Sequence, residues 1–239
     1  MKISLIIPMY NELDIIDDAI KVFSAYLKSK FEDWELIFVS DGSTDGCENP
    51  VLLASKNEPR IKLESYTPNR GKGYAVRTGM LAATGDIRVF TDCDNAYGTD
   101  VIGDIYDRFA SGDCDMIVGS RNISADGYEG YTFVRKLASK TYIKAISMAA
   151  GFKLSDSQCG FKGYRAAAAE KIFTNCEVER WAFDLETIMI AQKAGFKIGE
   201  MPVKVINHRE SKIHLAGDSI KMLRDVSAMK KSIANRELK

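Results

Sequence analysis

Two aspartates, Asp92 and Asp94, lie one residue apart directly after an apolar run at residues 87–90. Carboxylates at this spacing can both approach a hard divalent cation, and Mg²⁺ commonly takes one or two of them while phosphate oxygens and waters complete its octahedron. A cation held in this way would neutralise a departing diphosphate. The same spacing also suits a turn, in which Asp92 begins the turn and Asp94 caps the segment near Thr99. The residues alone leave both interpretations open.

The elements that would position these acids alternate between short β-rich runs and helix-length segments. We predict strands at residues 3–7, 35–39, 61–66, 87–90 and 116–118, with helices at roughly 12–30, 45–57, 73–84 and 100–111. This alternation predicts an α/β fold in which a Rossmann-like, mainly parallel sheet carries helices on both faces and a ligand crevice at the carboxyl ends of its strands. Asp41, Asp92 and Asp94 all fall at such ends, so three acids are expected to face one crevice.

Composition limits the classes of function. The 239 residues carry 33 basic and 33 acidic side chains, so a general attraction to nucleic acid is not expected. The five cysteines are odd in number and never form a CxxC pair, which argues against a disulfide framework or a zinc site and favours a reducing compartment. Neither a secretory leader nor a membrane-spanning apolar run is evident, so a cytoplasmic protein is expected.

Four motifs together resemble those of a known family. They read IIPMYNE at residues 6–12, VSDGSTD at 39–45, NRGKG at 69–73 and TDCD at 91–94. In this order and spacing they resemble the family 2 glycosyltransferases, whose fold is called GT-A. Three later motifs, GSR at 119–121, DSQCGFK at 156–162 and ERWAFD at 179–184, resemble the polyprenyl-phosphate glycosyltransferases. Among these, the dolichyl-phosphate β-glucosyltransferases are the most similar branch, with the polyprenyl-phosphate mannosyltransferases beside them.

The resemblance implies a nucleotide-sugar donor, with UDP-glucose favoured, and Mg²⁺ or Mn²⁺ held by Asp92 and Asp94. Asp94 then also counts among the catalytic residues. Asp41 is expected to accept the N3 proton of uracil, and it would do so alone because Ser40 stands where an Asp is common. Lys72 would meet phosphate at the start of a helix, although a plain loop lysine is the alternative. The implied donor-binding set is Pro8, Tyr10, Glu12, Asp41, Lys72, Asp92, Gln158, Arg180, Arg209 and Lys212.

The resemblance also implies a polyprenyl-phosphate acceptor whose phosphate is bound by Arg121, Arg135 and Ser139. Arg135 and Ser139 share one helical face by their spacing, and the planar fork of arginine suits phosphate. Asp156 is assigned to catalysis as the residue that orients the acceptor or contacts the metal region. Base catalysis is the lesser option because a phosphate monoester, with a second pKa of about 6, is already largely ionised. A simple turn residue is the alternative.

Several features of the second half carry smaller predictions. Trp181 and Phe183 are expected to pack beneath the pocket, and Glu186 is interpreted as a solvated helical charge. A strand at 204–206 would precede a basic segment that folds over the donor diphosphate. A basic amphipathic stretch at 131–152 predicts contact with a membrane surface or a membrane-protein partner, whereas the apolar stripe near the C-terminus is expected to pack on the domain.

Taken together, the sequence predicts one GT-A domain over residues 1–239. Residues 1–120 would form a nucleotide-sugar-binding half, 121–212 an acceptor-binding half and 213–239 a C-terminal helix. The leading function is an inverting, metal-dependent hexosyltransferase, peripheral on the cytoplasmic face of a membrane. Two alternatives remain open: a transferase that acts on a hydroxyl of a polysaccharide, glycolipid or protein, and a non-catalytic nucleotide-sugar-binding module.

Overall fold

A seven-stranded sheet with helices on both faces positions the candidate residues. The structure is a computed structural model that describes residues 1–112, 114–124, 127, 141, 146–147, 150–207 and 226–239. Its strands are β1 (Ile3–Met9), β2 (Trp34–Asp41), β3 (Ile61–Tyr66), β4 (Ile87–Phe90), β5 (Met116–Ser120), β6 (Lys162–Arg165) and β7 (Ile198–Pro202). Its helices within the described residues are α1 (Ile16–Lys30), α2 (Glu48–Asn57), α3 (Lys72–Ala82), α4 (Asp100–Ala110), α5 (Ala166–Asn175), α6 (Phe183–Lys193) and α7 (residues 226–235).

The strand order is β3-β2-β1-β4-β6-β5-β7. Neighbouring strands pair in parallel except at β6, which runs antiparallel to both β4 and β5. Two reversals leave β5 parallel to β4, so the carboxyl ends of β1, β2, β4 and β5 lie along one edge. The predicted α/β fold with a mainly parallel sheet is therefore confirmed, and Asp41, Asp92, Asp94 and Arg121 all follow strands that end at this edge.

Apolar burial on both faces explains why the central strands form. All eight residues of β2 are buried, as expected for a strand covered by helices on each side. On α4 the buried residues Ile102, Ile105 and Phe109 follow a helical period and face the sheet. One hydrophobic cluster contains buried residues of α1, α2 and α4, and the other contains those of α3, α5, α6 and α7. The sheet is thus the middle layer of three.

The strand predicted at 204–206 is wrong. The strand in this region is β7, which pairs with β5 and ends at Pro202. Val203 and Val205 are buried and alternate as in a strand, but the backbone N–H groups here donate to other segments, for example that of Ile206 to the carbonyl of Ala96 (2.8 Å). The alternation therefore reports burial beneath a loop, which sequence cannot distinguish from pairing.

The last described segment returns to the domain. Val226, Met229 and Ile233 of α7 are buried, which confirms that this part of the C-terminal apolar stripe packs inward. The Lys193 ammonium donates to the carbonyls of Ile233 (2.6 Å) and Ala234 (2.9 Å), and so caps the end of α7. In the part of the chain that the structure describes, no helix combines the length and apolarity needed to cross a bilayer.

Candidate active site

The loops that follow β1 and β2 are bound to each other by the polar residues of the first two motifs. The Asn11 side-chain carbonyl accepts the backbone N–H of Thr44 (2.8 Å), while the Asn11 backbone N–H donates to Ser43 Oγ (3.1 Å). Asp45 accepts the backbone N–H of Leu13 (2.8 Å). Asn11 has a φ of 54°, a left-handed conformation that asparagine tolerates. These contacts explain why α1 and α2 begin several residues later than the sequence pattern indicated.

Asp92 and Asp94 lie just beyond β4 and are incompletely neutralised by the protein. The Asp94 carboxylate accepts the backbone N–H of Ala96 (3.1 Å). Burial, and then the neighbouring charge of Asp92, raise the pKa of Asp94, and Glu12 contributes in the same direction. The Asp92 side chain is one-third exposed (33%). Three carboxylates of the predicted set therefore converge, and their mutual repulsion favours a bound cation.

Lys72, the first residue of α3, supplies the positive charge nearest to this acidic group. Its ammonium forms an ion pair with Asp92. Burial alone would lower the pKa of Lys72, but Asp92 and then Asp184 raise it, so the side chain carries its charge. The ammonium also lies 5.4 Å from the ring centroid of Trp181. Lys72 is therefore part of the site, and the plain loop lysine is no longer the better interpretation.

Trp181 does not pack beneath the pocket as predicted. Its side chain is 54% exposed and lies at the rim beside Lys72, because residue 181 belongs to the turn that precedes α6. Phe183, two residues later, is buried and packs against Phe90 with ring centroids 5.7 Å apart. The prediction for Phe183 is confirmed, and the one for Trp181 is wrong.

The two aspartates fit a divalent cation. Among the described residues, no group of three or more His, Cys, Asp or Glu side chains is placed to hold a metal. Two carboxylates are the number that Mg²⁺ takes when phosphate oxygens and waters supply its other ligands. The ammonium of Lys72 already lies against Asp92, which shows that this carboxylate accepts a cation. A metal that is shared with a diphosphate therefore suits this pair better than a site built of protein ligands alone.

The DSQCGFK motif approaches Asp92 at its glycine. A Cβ atom on Gly160 would lie 2.4 Å from Oδ2 of Asp92, so only glycine fits at this position. The Gly160 backbone N–H donates to the hydroxyl of Tyr97 (3.0 Å), which is buried. The charges of Arg121 and Asp92 both act on Tyr97, whose pKa is raised chiefly by burial. Tyr97 therefore lies between the two predicted halves of the site.

A buried ion pair between Lys162 and Asp184 supports this region, and the sequence analysis missed it. Lys162 is fully buried on β6, where its ammonium binds Asp184 of α6 and donates to the carbonyl of Cys159 (2.6 Å). Burial raises the pKa of Asp184 against the opposing effects of Lys162 and Lys72. The available signal was one basic residue in a strand and one acid in a helix whose neighbours are apolar.

Asp156 and Arg121 form a fully engaged pair at the carboxyl end of β5. The guanidinium donates through Nε to Oδ2 of Asp156 (2.7 Å) and through Nη2 to Oδ1 (3.0 Å). The backbone N–H groups of Arg121 (3.2 Å) and Gln158 (3.3 Å) complete four hydrogen bonds to a carboxylate that is fully buried. Burial alone would lower the pKa of Arg121, but Asp156 raises it. Asp156 thus orients Arg121, and base catalysis would require this pair to open.

Glu200 of β7 fixes the turn that carries Asp156. Its carboxylate accepts the backbone N–H (2.9 Å) and the hydroxyl (2.6 Å) of Ser155. Ser120 Oγ lies 2.6 Å from Ser155 Oγ, and Asn122 donates to the Ser155 carbonyl (2.5 Å). Glu200, which no sequence motif marked, therefore connects the last strand of the sheet to the acceptor side.

Glu186 is not the solvated helical charge that was predicted. It is buried, and its carboxylate accepts the backbone N–H groups of Glu177 (3.0 Å) and Val178 (2.7 Å). Arg236, which follows α7, lies 3.5 Å from the same carboxylate. Glu186 faces inward because the C-terminal segment covers it, and that covering is not visible in the local sequence.

The other predicted residues have mixed outcomes. Asp41 ends β2 and is bound by the loop before α3. Gln158 has a buried Nε2 atom with no hydrogen-bond partner among the described residues, and the side chain of Arg180 packs near Gly71. Pro8 lies within β1 and Tyr10 is exposed just after it. Four predicted residues and most of the predicted membrane-facing stretch lie outside the described residues: Arg135, Ser139, Arg209 and Lys212.

Comparisons with known proteins agree with this geometry. The model of the family described as glycosyl transferase family 2 matches residues 4–173. A dolichyl-phosphate beta-glucosyltransferase of Dictyostelium discoideum is 30% identical over 236 residues, which cover 94% of this chain and 72% of the relative. Another from Trichomonas vaginalis is 32% identical over 233 residues, which cover 94% of this chain and 71% of the relative.

Solved structures support the same fold. Glucosyl-3-phosphoglycerate synthase from Mycobacterium tuberculosis, crystallised with Mn²⁺, UDP and glucosyl-3-phosphoglycerate, superposes with a TM-score of 0.69 at 19% identity. The match covers 99% of this chain and 81% of that chain, and it confirms the predicted GT-A fold. Because the family match extends over well more than half of the residues, the chain belongs to glycosyl transferase family 2 and is a glycosyltransferase.

Proposed function

We propose that this chain is an inverting, metal-dependent hexosyltransferase that moves glucose from UDP-glucose to a polyprenyl phosphate. The observation that carries the proposal is the meeting of Asp92, Asp94 and Lys72 at one sheet edge that also holds the Arg121–Asp156 pair. The first group suits a metal-bound diphosphate, and an arginine fixed by a carboxylate suits a phosphate acceptor.

On the donor side, Asp92 and Asp94 would hold Mg²⁺ or Mn²⁺. When bound, the metal supplies positive charge that stabilises the departing diphosphate. Lys72 would add a second positive charge at the N-terminus of α3, where backbone N–H groups also favour an anion. The unpartnered Nε2 of Gln158 would donate to an oxygen of the donor, and Arg180 would lie beside the same group.

On the acceptor side, Arg121 would bind the phosphate of the lipid. The reaction is a single displacement in which an acceptor phosphate oxygen bonds to the anomeric carbon while the bond from that carbon to the UDP oxygen breaks. A phosphate with a second pKa of about 6 is mostly dianionic at neutral pH, so it attacks without a base. Asp156 would then hold Arg121 in place, with Arg135 and Ser139 as further phosphate ligands.

The choice of glucose and of a dolichyl-type acceptor is supported by the relatives, whose names state both. A soluble nucleotide sugar and a lipid phosphate meet at a membrane surface, so we place the enzyme at the cytoplasmic face as a peripheral protein. The basic stretch at 131–152 would contact headgroups there or a membrane-protein partner, and Arg209 and Lys212 would close over the donor.

A transfer assay tests the proposal. Purified protein is incubated with Mg²⁺ or Mn²⁺, labelled UDP- and GDP-sugars and a short polyprenyl phosphate, and the label that partitions into organic solvent is counted. We expect metal-dependent, lipid-soluble label from UDP-glucose. Asp94→Asn should reduce it on the order of 10³-fold with an unchanged circular dichroism spectrum, because it removes a metal ligand that acts on the leaving group.

The other outcomes of the assay contradict the proposal in different ways. Lipid-linked label from a GDP-sugar alone would overturn the donor. UDP release with a sugar or phosphoglycerate acceptor, but none with polyprenyl phosphate, would overturn the acceptor. Metal-dependent UDP binding without turnover on any acceptor would identify a binding module.

A further inference from the structure

We infer that Asp41 is a positioning residue that holds the loop of residues 66–71 in place and is not the acceptor of the uracil N3 proton. This loop leads directly into Lys72 and the N-terminus of α3. The inference rests on the proposed function, because the ligand that the loop would meet is the donor diphosphate. It reverses the role that the motif resemblance implied for Asp41.

Four hydrogen bonds join the Asp41 carboxylate to the 66–71 loop. Oδ1 accepts the hydroxyl of Tyr66 (2.9 Å) and the backbone N–H of Arg70 (2.8 Å). Oδ2 accepts the side-chain amide of Asn69 (2.8 Å) and the backbone N–H of Gly71 (2.8 Å). The Asn69 amide also donates to the Asp41 carbonyl (3.0 Å). A single carboxylate therefore organises the turn that begins α3.

These bonds fill the acceptor capacity of the carboxylate. An ionised carboxylate has about four lone-pair sites, and each oxygen of Asp41 already accepts two donors. The residue is also 4% exposed, so a base could reach it only where the loop now lies. A uracil N–H would have to displace one of the four donors, which would gain no net hydrogen bond.

The rest of the loop packs in agreement with this role. Gly42 has a φ of 68°, and a Cβ atom there would lie 2.6 Å from the backbone nitrogen of Asn69, so the loop rests directly on the DGS turn. The rings of Tyr66 and Tyr74 meet edge-on with centroids 4.9 Å apart, and the Arg70 guanidinium lies 3.6 Å from the Tyr74 ring centroid. The second and third motifs are therefore one packed unit.

Nucleotide binding by Asp41→Asn tests the inference. The substitution keeps the shape but turns one oxygen into an NH₂ donor that faces two other donors. Binding of UDP, CDP and pyrophosphate, each with Mg²⁺, is measured by calorimetry. If Asp41 positions the loop, all three should weaken by the same factor, on the order of tenfold or more, because the shared diphosphate contacts are lost.

A base contact predicts a different pattern. Asp41→Asn would then weaken UDP, leave pyrophosphate unchanged and strengthen CDP, because N3 of cytosine accepts a hydrogen bond that the new amide can donate. That pattern would overturn the inference. A wild-type protein that binds none of the three would instead contradict the proposed function, so the two failures are distinguishable.

Asn69→Ala keeps the test decisive if Asp41→Asn does not fold. Asn69 is exposed, and its removal frees a lone pair on Asp41 while it loosens the loop. The inference predicts weaker binding of UDP, CDP and pyrophosphate alike, by about threefold for one lost hydrogen bond. A uracil acceptor with a newly freed lone pair would instead bind UDP more tightly. Asn57→Ala, an exposed asparagine at the end of α2, serves as the matched control.

Discussion

Asp94 and Asp156 both lie near the carboxyl edge of the sheet, but the protein treats their charges differently. Around Asp94 the nearest strong influence is another acid, Asp92, and burial together with that charge raises the pKa of Asp94. Asp156 is equally withdrawn from solvent, yet it accepts a two-pronged arginine and two backbone N–H groups. The first carboxylate has charge left for a ligand to balance, and the second has none.

The difference teaches how to assign roles to buried acids in this site. A carboxylate whose charge the protein leaves unbalanced is suited to bind a cation, whereas one that is balanced internally fixes the position of its partner. Asp41 belongs with Asp156 by this criterion, although its motif suggested a ligand contact. Three acids at one edge of the sheet therefore do not have one common function.

Removal of the charge of Asp156 should have the largest effect on stability. Asp156→Asn leaves Arg121 without its carboxylate, and breaking a buried pair costs about 3 kcal/mol of unfolding free energy. Because Arg121 is then misplaced, we expect KM for polyprenyl phosphate to rise while KM for UDP-glucose stays near the wild-type value. Urea unfolding and steady-state kinetics measure both. A fall in kcat with a new pH dependence, at unchanged acceptor KM, would instead indicate a catalytic base.

Glu35 provides a balanced acid at the opposite end of the sheet. Burial alone would raise its pKa, but hydrogen bonds from Lys62 and Ser4 lower it from 4.5 to about 2. A group with a depressed pKa stabilises the fold above its unfolded value, so this stability should be lost as the pH falls from about 4.5 to 2. We expect Glu35→Gln to remove about 2 kcal/mol of unfolding free energy at pH 7 and to flatten that acid limb.

Binding of UDP by Glu35→Gln should remain unchanged, because the residue lies at the start of β2, away from the carboxyl edge. Calorimetry at pH 7 checks this. A large loss of UDP affinity in a folded variant would show that balanced acids far from the edge also control the ligand, and would remove the distinction between the two kinds of carboxylate.

Lys72 sharpens the comparison from the side of the cation. Since its ammonium binds Asp92, it competes with a metal in the absence of nucleotide. Lys72→Met should strengthen Mn²⁺ binding to the nucleotide-free protein, and weaken UDP binding, each by about tenfold. Electron paramagnetic resonance of free Mn²⁺ and calorimetry with UDP measure the two effects. Weaker Mn²⁺ binding in the variant would show that Lys72 supports the metal site directly.

The sequence was informative wherever the decisive contacts are local. The apolar runs located β1 to β5, and the pair Asp92 and Asp94 was found because both follow one strand. Residues were misjudged where a distant segment decides their surroundings. Glu186 is buried by residues that follow α7, and Asp41 is occupied by a loop that starts 25 residues later. Such partners cannot be read from the pattern on either side of a residue.

Binding of Mn²⁺ in the presence of UDP, followed by electron paramagnetic resonance, tests the central claim most directly. Wild type, Asp94→Asn and Asp156→Asn are titrated under the same conditions, and circular dichroism confirms that each variant is folded. We predict that Asp94→Asn loses UDP-dependent Mn²⁺ binding by about a hundredfold, whereas Asp156→Asn keeps the wild-type affinity. Equal losses in both variants, or no loss in Asp94→Asn, would contradict the division between a ligand-binding and a positioning carboxylate.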